Sequence, residues 1–326
     1  MKQKLQKQSI IRKLTKIFMV ILGSLFILGG CERAPRYAEV EITPLLWRAT
    51  APNSQEMYLF GSIHAADSSI YPLPEFVMDA FDRSDYLAVE INLLNLGRGN
   101  EPWRRELYAR LTYQDGKTIV SDMGEQLHNR WTNIFEEHAF FRQFRNGALD
   151  GYMPGIWYTR LIGIINGRVA LEAGLSFEYG LDMYFLRRAN RRRDMEILEL
   201  ESVELQARVL KEGLSTEFYI YWLEEMAAQF EEGDMEHMVY EAIEIYTVWK
   251  SGDEEALAYI FLEELTDEWQ YAILTSRDID MTQRARELMA EEKKVFVVVG
   301  AGHLIGEGSI IDLLIQEGYD VVRVLY

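Results

Sequence analysis

Two of the five histidines stand in the same local frame, Gly61-Ser62-Ile63-His64 and Gly300-Ala301-Gly302-His303. Each Gly-x-x-His closes an apolar run that reads as a β-strand, Tyr58-Leu59-Phe60 before the first and Val295 to Val299 before the second. A strand that ends in a glycine turn can present a polar side chain over the end of a sheet. If the two strands are neighbours, His64 and His303 face one site. Two imidazoles, a carboxylate and an open coordination position make a hydrolytic metal centre, in which the ion activates water and polarises a carbonyl.

Glu90 is the first carboxylate to add. It falls near the carboxyl end of the strand after the first Gly-x-x-His, where open parallel sheets place ligand groups. An acid in the apolar run Leu87-Ala88-Val89-Glu90-Ile91 needs a partner if buried. Metal is one such partner; an arginine or a hydrogen-bond network is another. Glu201 is the second carboxylate, as general base or ligand. It follows the strand Met195 to Leu200, and it could equally be a first-turn acid favoured by the helix dipole. Arg277, in Ser276-Arg277-Asp278, is suited to hold an anion or a substrate carboxylate, or to cap a helix. His128, His138 and His237 lie on charged helical stretches without glycine frames and read as surface or core histidines.

The elements that position these residues are legible in outline. Residues 43–50 and 57–61 read as a hairpin across Pro52-Asn53-Ser54. Pro72-Leu73-Pro74 opens a helix, and Tyr86 to Ile91 is a strand. From about 101 to 290 the pattern is helical, with expected helices that include Glu125 to Phe144, Trp157 to Asn166 and Glu254 to Thr275. One strand, Met195 to Leu200, interrupts it and should return to the sheet. A last strand runs from Val321 to Leu325. The fold class is therefore α/β (α+β): a central sheet built from two β-GxxH-α-β units near the chain ends, with a large acidic helical insertion.

The N-terminus reads as a lipoprotein signal peptide over residues 1–30, with a basic region and the uncharged stretch Ile17 to Gly30. Leu28-Gly29-Gly30-Cys31 looks like a lipobox, and Cys31, the only cysteine, is the expected lipidation site. Residues 31–42 would be a tether and 43–326 one domain. The expected location is the cell envelope, lipid-anchored and extracytoplasmic, at the outer membrane if the cell is Gram-negative. Residues 1–30 hold six of the 34 Lys/Arg and none of the 52 Asp/Glu, leaving a formal −24 on the remainder. So acidic a surface argues against nucleic acid and against direct docking on anionic lipid. Residues 194–268 hold 22 Asp/Glu and three Lys/Arg, which reads as the solvated faces of a helical region or as a collar for a cation or basic peptide.

The Tyr58 to His64 segment, with Pro72-Leu73-Pro74 and Val89-Glu90 behind it, resembles the N-terminal signature of the TraB/GumN family. Val297 to Leu304 and Gly318 to Val322 resemble its C-terminal signature. Gly180-Leu181-Asp182, Leu200-Glu201 with Gln206, and Ser276-Arg277-Asp278 look like further landmarks. The family includes Tiki-like proteins, described as metal-dependent proteases that use both Gly-x-x-His motifs and a glutamate. It is similar in fold to erythromycin-esterase-like and haem-binding ChaN-like proteins. The resemblance implies His64, His303 and Glu90 as metal ligands for Mn²⁺, Co²⁺ or Zn²⁺, and Arg277 as a substrate-binding residue. Asp278 departs from the Asn expected after that arginine. The expected function is a metal-dependent, peptidase-like hydrolase acting on a peptide or small-molecule substrate. The alternatives are a non-catalytic haem- or peptide-binding envelope protein and a structural lipoprotein.

Overall fold

The computed structural model describes residues 42–94, 102–114, 116–233, 235–262, 270–290 and 293–325. The expected signal peptide, Cys31 and all of the tether but Ile42 lie outside the described residues.

Six strands form one mixed sheet: β1 (Leu46–Thr50), β2 (Glu56–Ser62), β3 (Tyr86–Val89), β4 (Glu196–Glu199), β5 (Val295–Gly300) and β6 (Asp320–Arg323). Their spatial order is β4-β3-β5-β2-β1-β6. β1 and β2 are the expected hairpin, antiparallel, with Leu46 opposite Phe60. β5 is parallel to β2 on one side and to β3 on the other, and β3 is parallel to β4. Four neighbouring parallel strands thus end on one edge, over a width of roughly 14 Å. The sequence shows why β5 is central: Val-Phe-Val-Val-Val-Gly is buried at every position, as a parallel strand covered on both faces requires. The outer strands β4 and β6 are four residues each, part-exposed and charged, which discourages edge pairing.

Helices fill the connections. α1 (Glu75–Asp82) links β2 to β3. α2 (Pro102–Arg110), α3 (Val120–Glu137), α4 (Pro154–Glu172) and α5 (Leu181–Ala189) lie between β3 and β4. α6 (Val203–Arg208), α7 (Thr216–Glu232), α8 (Met235–Ser251), α9 (Glu254–Leu262) and α10 (Ser276–Met289) lie between β4 and β5, and α11 (Ile310–Gln316) precedes β6. Phe81 of α1 and Phe185 of α5 pack on Phe60 and Phe296 of the sheet, with ring centroids 5.1–6.2 Å apart. A buried apolar core runs without a break from this cluster into the helices.

Three helix boundaries differ from the periodic pattern. The segment expected as one helix over Glu125 to Phe144 begins earlier, bends at Gly124, and stops at Glu137. His138 is extended, and Ala139–Phe144 follows as a 3₁₀ turn. That turn lets Phe141 and Phe144 fold back on Phe135, which a continuing helix would carry away. α4 extends well beyond Trp157 to Asn166, started by Pro154 in its first turn. The segment Glu254 to Thr275 ends its α-helix at Leu262; residues 263–269 lie outside the described residues, and Tyr271–Thr275 is a π-helical turn that leads into α10. Among the described residues no helix is long and apolar enough to cross a membrane.

The arginine-rich stretch after α5 has structural partners. Arg192 donates to the Phe81 and Ser84 carbonyls and pairs with Asp194, and Arg188 lies over the Tyr184 ring.

Candidate active site

The carboxyl edge of the parallel block carries Glu201, Glu90, His303 and His64, one from each strand end in spatial order. β2 and β5 stay in register to Ser62 opposite Gly300, and the two histidines follow that pair by two and three residues. β3 and β4 remain paired past their ends: Leu200 N–H donates to the Val89 carbonyl at 2.8 Å, and Glu201 N–H to the Glu90 carbonyl at 3.1 Å. The edge is enclosed. His303 is fully buried, His64 is 6% exposed and Arg277 4%.

Each histidine is held through Nδ1 by an aspartate. His64 Nδ1 lies 2.9 Å from Asp182 Oδ2, and Ser62 Oγ donates to the other oxygen of Asp182 at 2.7 Å. His303 Nδ1 lies 2.5 Å from Asp278 Oδ1. Both rings therefore turn Nε2 away from their aspartates. His303 Nε2 is shut off from solvent, has no hydrogen-bond partner, and lies 3.8 Å from Glu90 Oε1.

Arg277 is the hub of the carboxylates. Its Nε donates to Glu201 Oε1 at 2.5 Å and its Nη2 to Glu90 Oε2 at 3.0 Å. Glu90 Oε1 accepts the Gly300 N–H at 2.7 Å. Adjacent positions on a helix point about 100° apart, so Arg277 and Asp278 at the start of α10 reach different strand ends. Glu201, its side chain wholly covered, stands behind Arg277.

The electrostatics follow from this packing. Burial raises the Glu90 carboxyl above its usual range, with Arg277 opposing and Glu201 adding to the rise. Burial likewise pushes Asp278 well up. Burial, then Arg277 and His64, holds His303 well below the ordinary imidazole range. Burial raises Asp182, but His64 and the Ser62 hydroxyl outweigh it and leave the carboxyl low. Burial lowers Arg277, yet Glu201 and Glu90 reverse this and keep it charged. Three buried carboxyl groups, Glu201, Glu90 and Asp278, act on the one guanidinium of Arg277.

One glycine is indispensable to this arrangement. A Cβ on Gly180 would come 2.0 Å from the His64 carbonyl oxygen. The loop must lie that close for Leu181 N–H to reach the Ile63 carbonyl at 3.1 Å and for Asp182, in the first turn of α5, to reach His64. Gly180→Ala is expected to cost at least about 2 kcal/mol in urea unfolding. Gly151→Ala, where a Cβ meets nothing within 4 Å, is the control and should stay near wild type.

The structure thus brings together His64, His303, Glu90, Glu201 and Arg277. Asp182 and Asp278 belong to the same cluster and were not read as working residues from the sequence, although the Gly180-Leu181-Asp182 and Arg277-Asp278 segments had been singled out. The remaining histidines have other surroundings: His128 pairs with Asp150, His138 packs on Phe140 and Phe230, and His237 faces Glu241.

No group of three or more His, Cys, Asp or Glu side chains among the described residues already has ligating geometry. The donor chemistry nevertheless fits a divalent metal. The two imidazoles are each anchored at Nδ1 by a carboxylate, as metal-bound histidines are, and one has a buried, unpartnered Nε2 beside a carboxylate oxygen.

The chain is similar to Metalloprotease TIKI1 of Xenopus tropicalis, with 21% identity over an alignment that covers 87% of this chain. That alignment takes in 62% of the relative, so the chain spans under two thirds of its length. No solved structure gives a significant match. The family model for TraB/PrgY/gumN proteins matches residues 45–323, nearly all of the described fold, and the chain belongs to the TraB/PrgY/gumN family.

Proposed function

We propose that this protein is a metal-dependent hydrolase, peptidase-like, held at the cell envelope by a lipid on Cys31. The observation that carries the reading is the buried, unpartnered Nε2 of His303, backed by Asp278 and facing Glu90. The similarity to a protein named a metalloprotease supports it. His303 and His64 through Nε2, and Glu90 through Oε1, would hold Zn²⁺, Mn²⁺ or Co²⁺, a donor set of nitrogen and oxygen that suits these ions. When bound, such an ion lowers the pKa of water and polarises the scissile carbonyl.

The protein's own residues do the rest. Asp182 and Asp278 fix the rings through Nδ1, and the unpartnered Nε2 of His303 is directed to the site. Arg277 keeps Glu90 Oε2 occupied, so that Oε1 alone faces His303. Glu90 Oε1 then serves as ligand rather than as base, and hydrolysis adds the OH of water to the carbonyl carbon and its proton to the leaving amine as the C–N bond breaks. Glu201 holds Arg277 in place. The enclosed edge excludes bulk water from the reacting groups.

Cleavage of a peptide library with and without added Mn²⁺, and after chelation, tests the proposal. Cleavage that chelation abolishes and Mn²⁺ restores is expected. Cleavage indifferent to chelation would sink the metal, and a Soret band in protein that cleaves nothing would favour the haem-binding alternative. Asp278→Asn and Asp182→Asn should each weaken metal binding by about 10–100-fold while the protein stays folded. Metal titration monitored alongside thermal melting checks this.

A further inference from the structure

We propose that Lys250 and Ser69 form an anion subsite beside the histidine edge, which receives a carboxylate of the substrate; this rests on the hydrolase reading above.

Lys250 lies in the last turn of α8 and is 6% exposed. Among the described residues its ammonium has one polar contact, the Ser69 hydroxyl oxygen, which accepts at 3.0 Å. No carboxylate among the described residues lies within 4 Å of it. A buried ammonium carries three donors and a charge, and a neutral hydroxyl compensates neither fully. The helix C-terminus favours a cation here, but it does not supply acceptors for the remaining N–H groups of the ammonium. Shortage of acid is not the cause. Residues 194–268 contain 22 Asp/Glu and only Arg208, Lys211 and Lys250 as Lys/Arg. Arg208 pairs with Asp280 and Lys211 is exposed, so the buried base is the one left without an acid.

The position is right for a substrate group. Ser69 is five residues beyond His64, exposed, on a short turn capped by Asp67, whose carboxylate accepts the Ser69 N–H at 2.6 Å. The C-terminal end of α8 is pinned to the same strand end, since the Trp249 indole donates to the Gly61 carbonyl at 3.0 Å. Tyr71 closes the turn onto the Gly180 loop by donating to the Tyr179 carbonyl at 2.7 Å. Burial raises the Tyr71 phenol most, followed by Tyr184, with Asp182 and Tyr246 adding to the rise. Tyr246 in turn interacts with Ser69 and Asp67. Two carboxylate oxygens match an ammonium beside a hydroxyl, and the surrounding acid would reject any anion not aimed at this point.

The test is calorimetric binding to the folded full chain carrying His303→Ala, which reads binding without turnover. Three short acetylated peptides are the probes: one with a free C-terminal carboxylate, its amidated twin, and an amidated peptide with one internal aspartate. Tighter binding of a carboxylate-bearing peptide by tenfold or more over the neutral twin is expected, and which of the two binds tells whether the group is a C-terminus or a side chain. Lys250→Met should erase that preference, Lys250→Arg should keep part of it, and Ser69→Ala, on an exposed turn, should reduce it about threefold. Absence of preference in the parent chain, or a preference that survives in a folded Lys250→Met chain, overturns the subsite. Loss of peptide cleavage in the otherwise wild-type chain with this preference intact would instead count against the hydrolase reading.

Discussion

Arg277→Met is expected to destabilise the protein by about 3–5 kcal/mol, the usual cost of breaking a buried ion pair by removing one partner. The arginine contacts both Glu90 and Glu201 directly, and all three are nearly shielded from solvent. Without it both carboxylates must be protonated or left uncompensated. Arg277→Lys should recover little, because one ammonium cannot reproduce the two directed contacts made by Nε and Nη2. Arg277→Met combined with Glu201→Gln should recover more, since one of the stranded charges is then gone. Urea unfolding of the four proteins checks the series. A loss below about 1 kcal/mol for Arg277→Met would mean that the carboxylates do not depend on it.

The second large effect is on activity. His303→Ala is expected to lower peptide cleavage by about 10²–10⁴-fold, the range that a positioned acid–base or ligand group contributes. His303 is fully buried and, among the described residues, its ring hydrogen-bonds only Asp278, so the loss should come with modest destabilisation and intact secondary structure. His64→Ala should behave alike. His128→Ala, whose ring is tied to Asp150, should leave cleavage unchanged. Equal rates in wild type and His303→Ala would remove this edge from the chemistry.

Much of this edge was legible in the sequence because the signals were local. The two Gly-x-x-His turns end apolar runs, and the register of β2 with β5 brings them side by side. Glu90 stood out as an acid in an apolar strand, and Met195 to Leu200 as the strand that returns to the sheet, where it pairs with β3. What the sequence hid is pairing at long range. Arg277 and Glu90 are 187 positions apart, and nothing in either segment says that the arginine is spent on internal carboxylates. Asp182 and Asp278 were hidden for the same reason, since a first-turn acid is ordinary in any helix. Helix ends were misplaced where aromatic packing decided them, as at His138, rather than periodicity.

The central claim is that His64 and His303 hold one metal ion together with Glu90. Metal content, measured after loading with Mn²⁺, Co²⁺ or Zn²⁺ and exhaustive dialysis, tests it most directly in wild type, His64→Ala and His303→Ala. The account predicts close to one equivalent of one of these ions in the wild type and a loss in both variants. Equal metal content in all three proteins would contradict it.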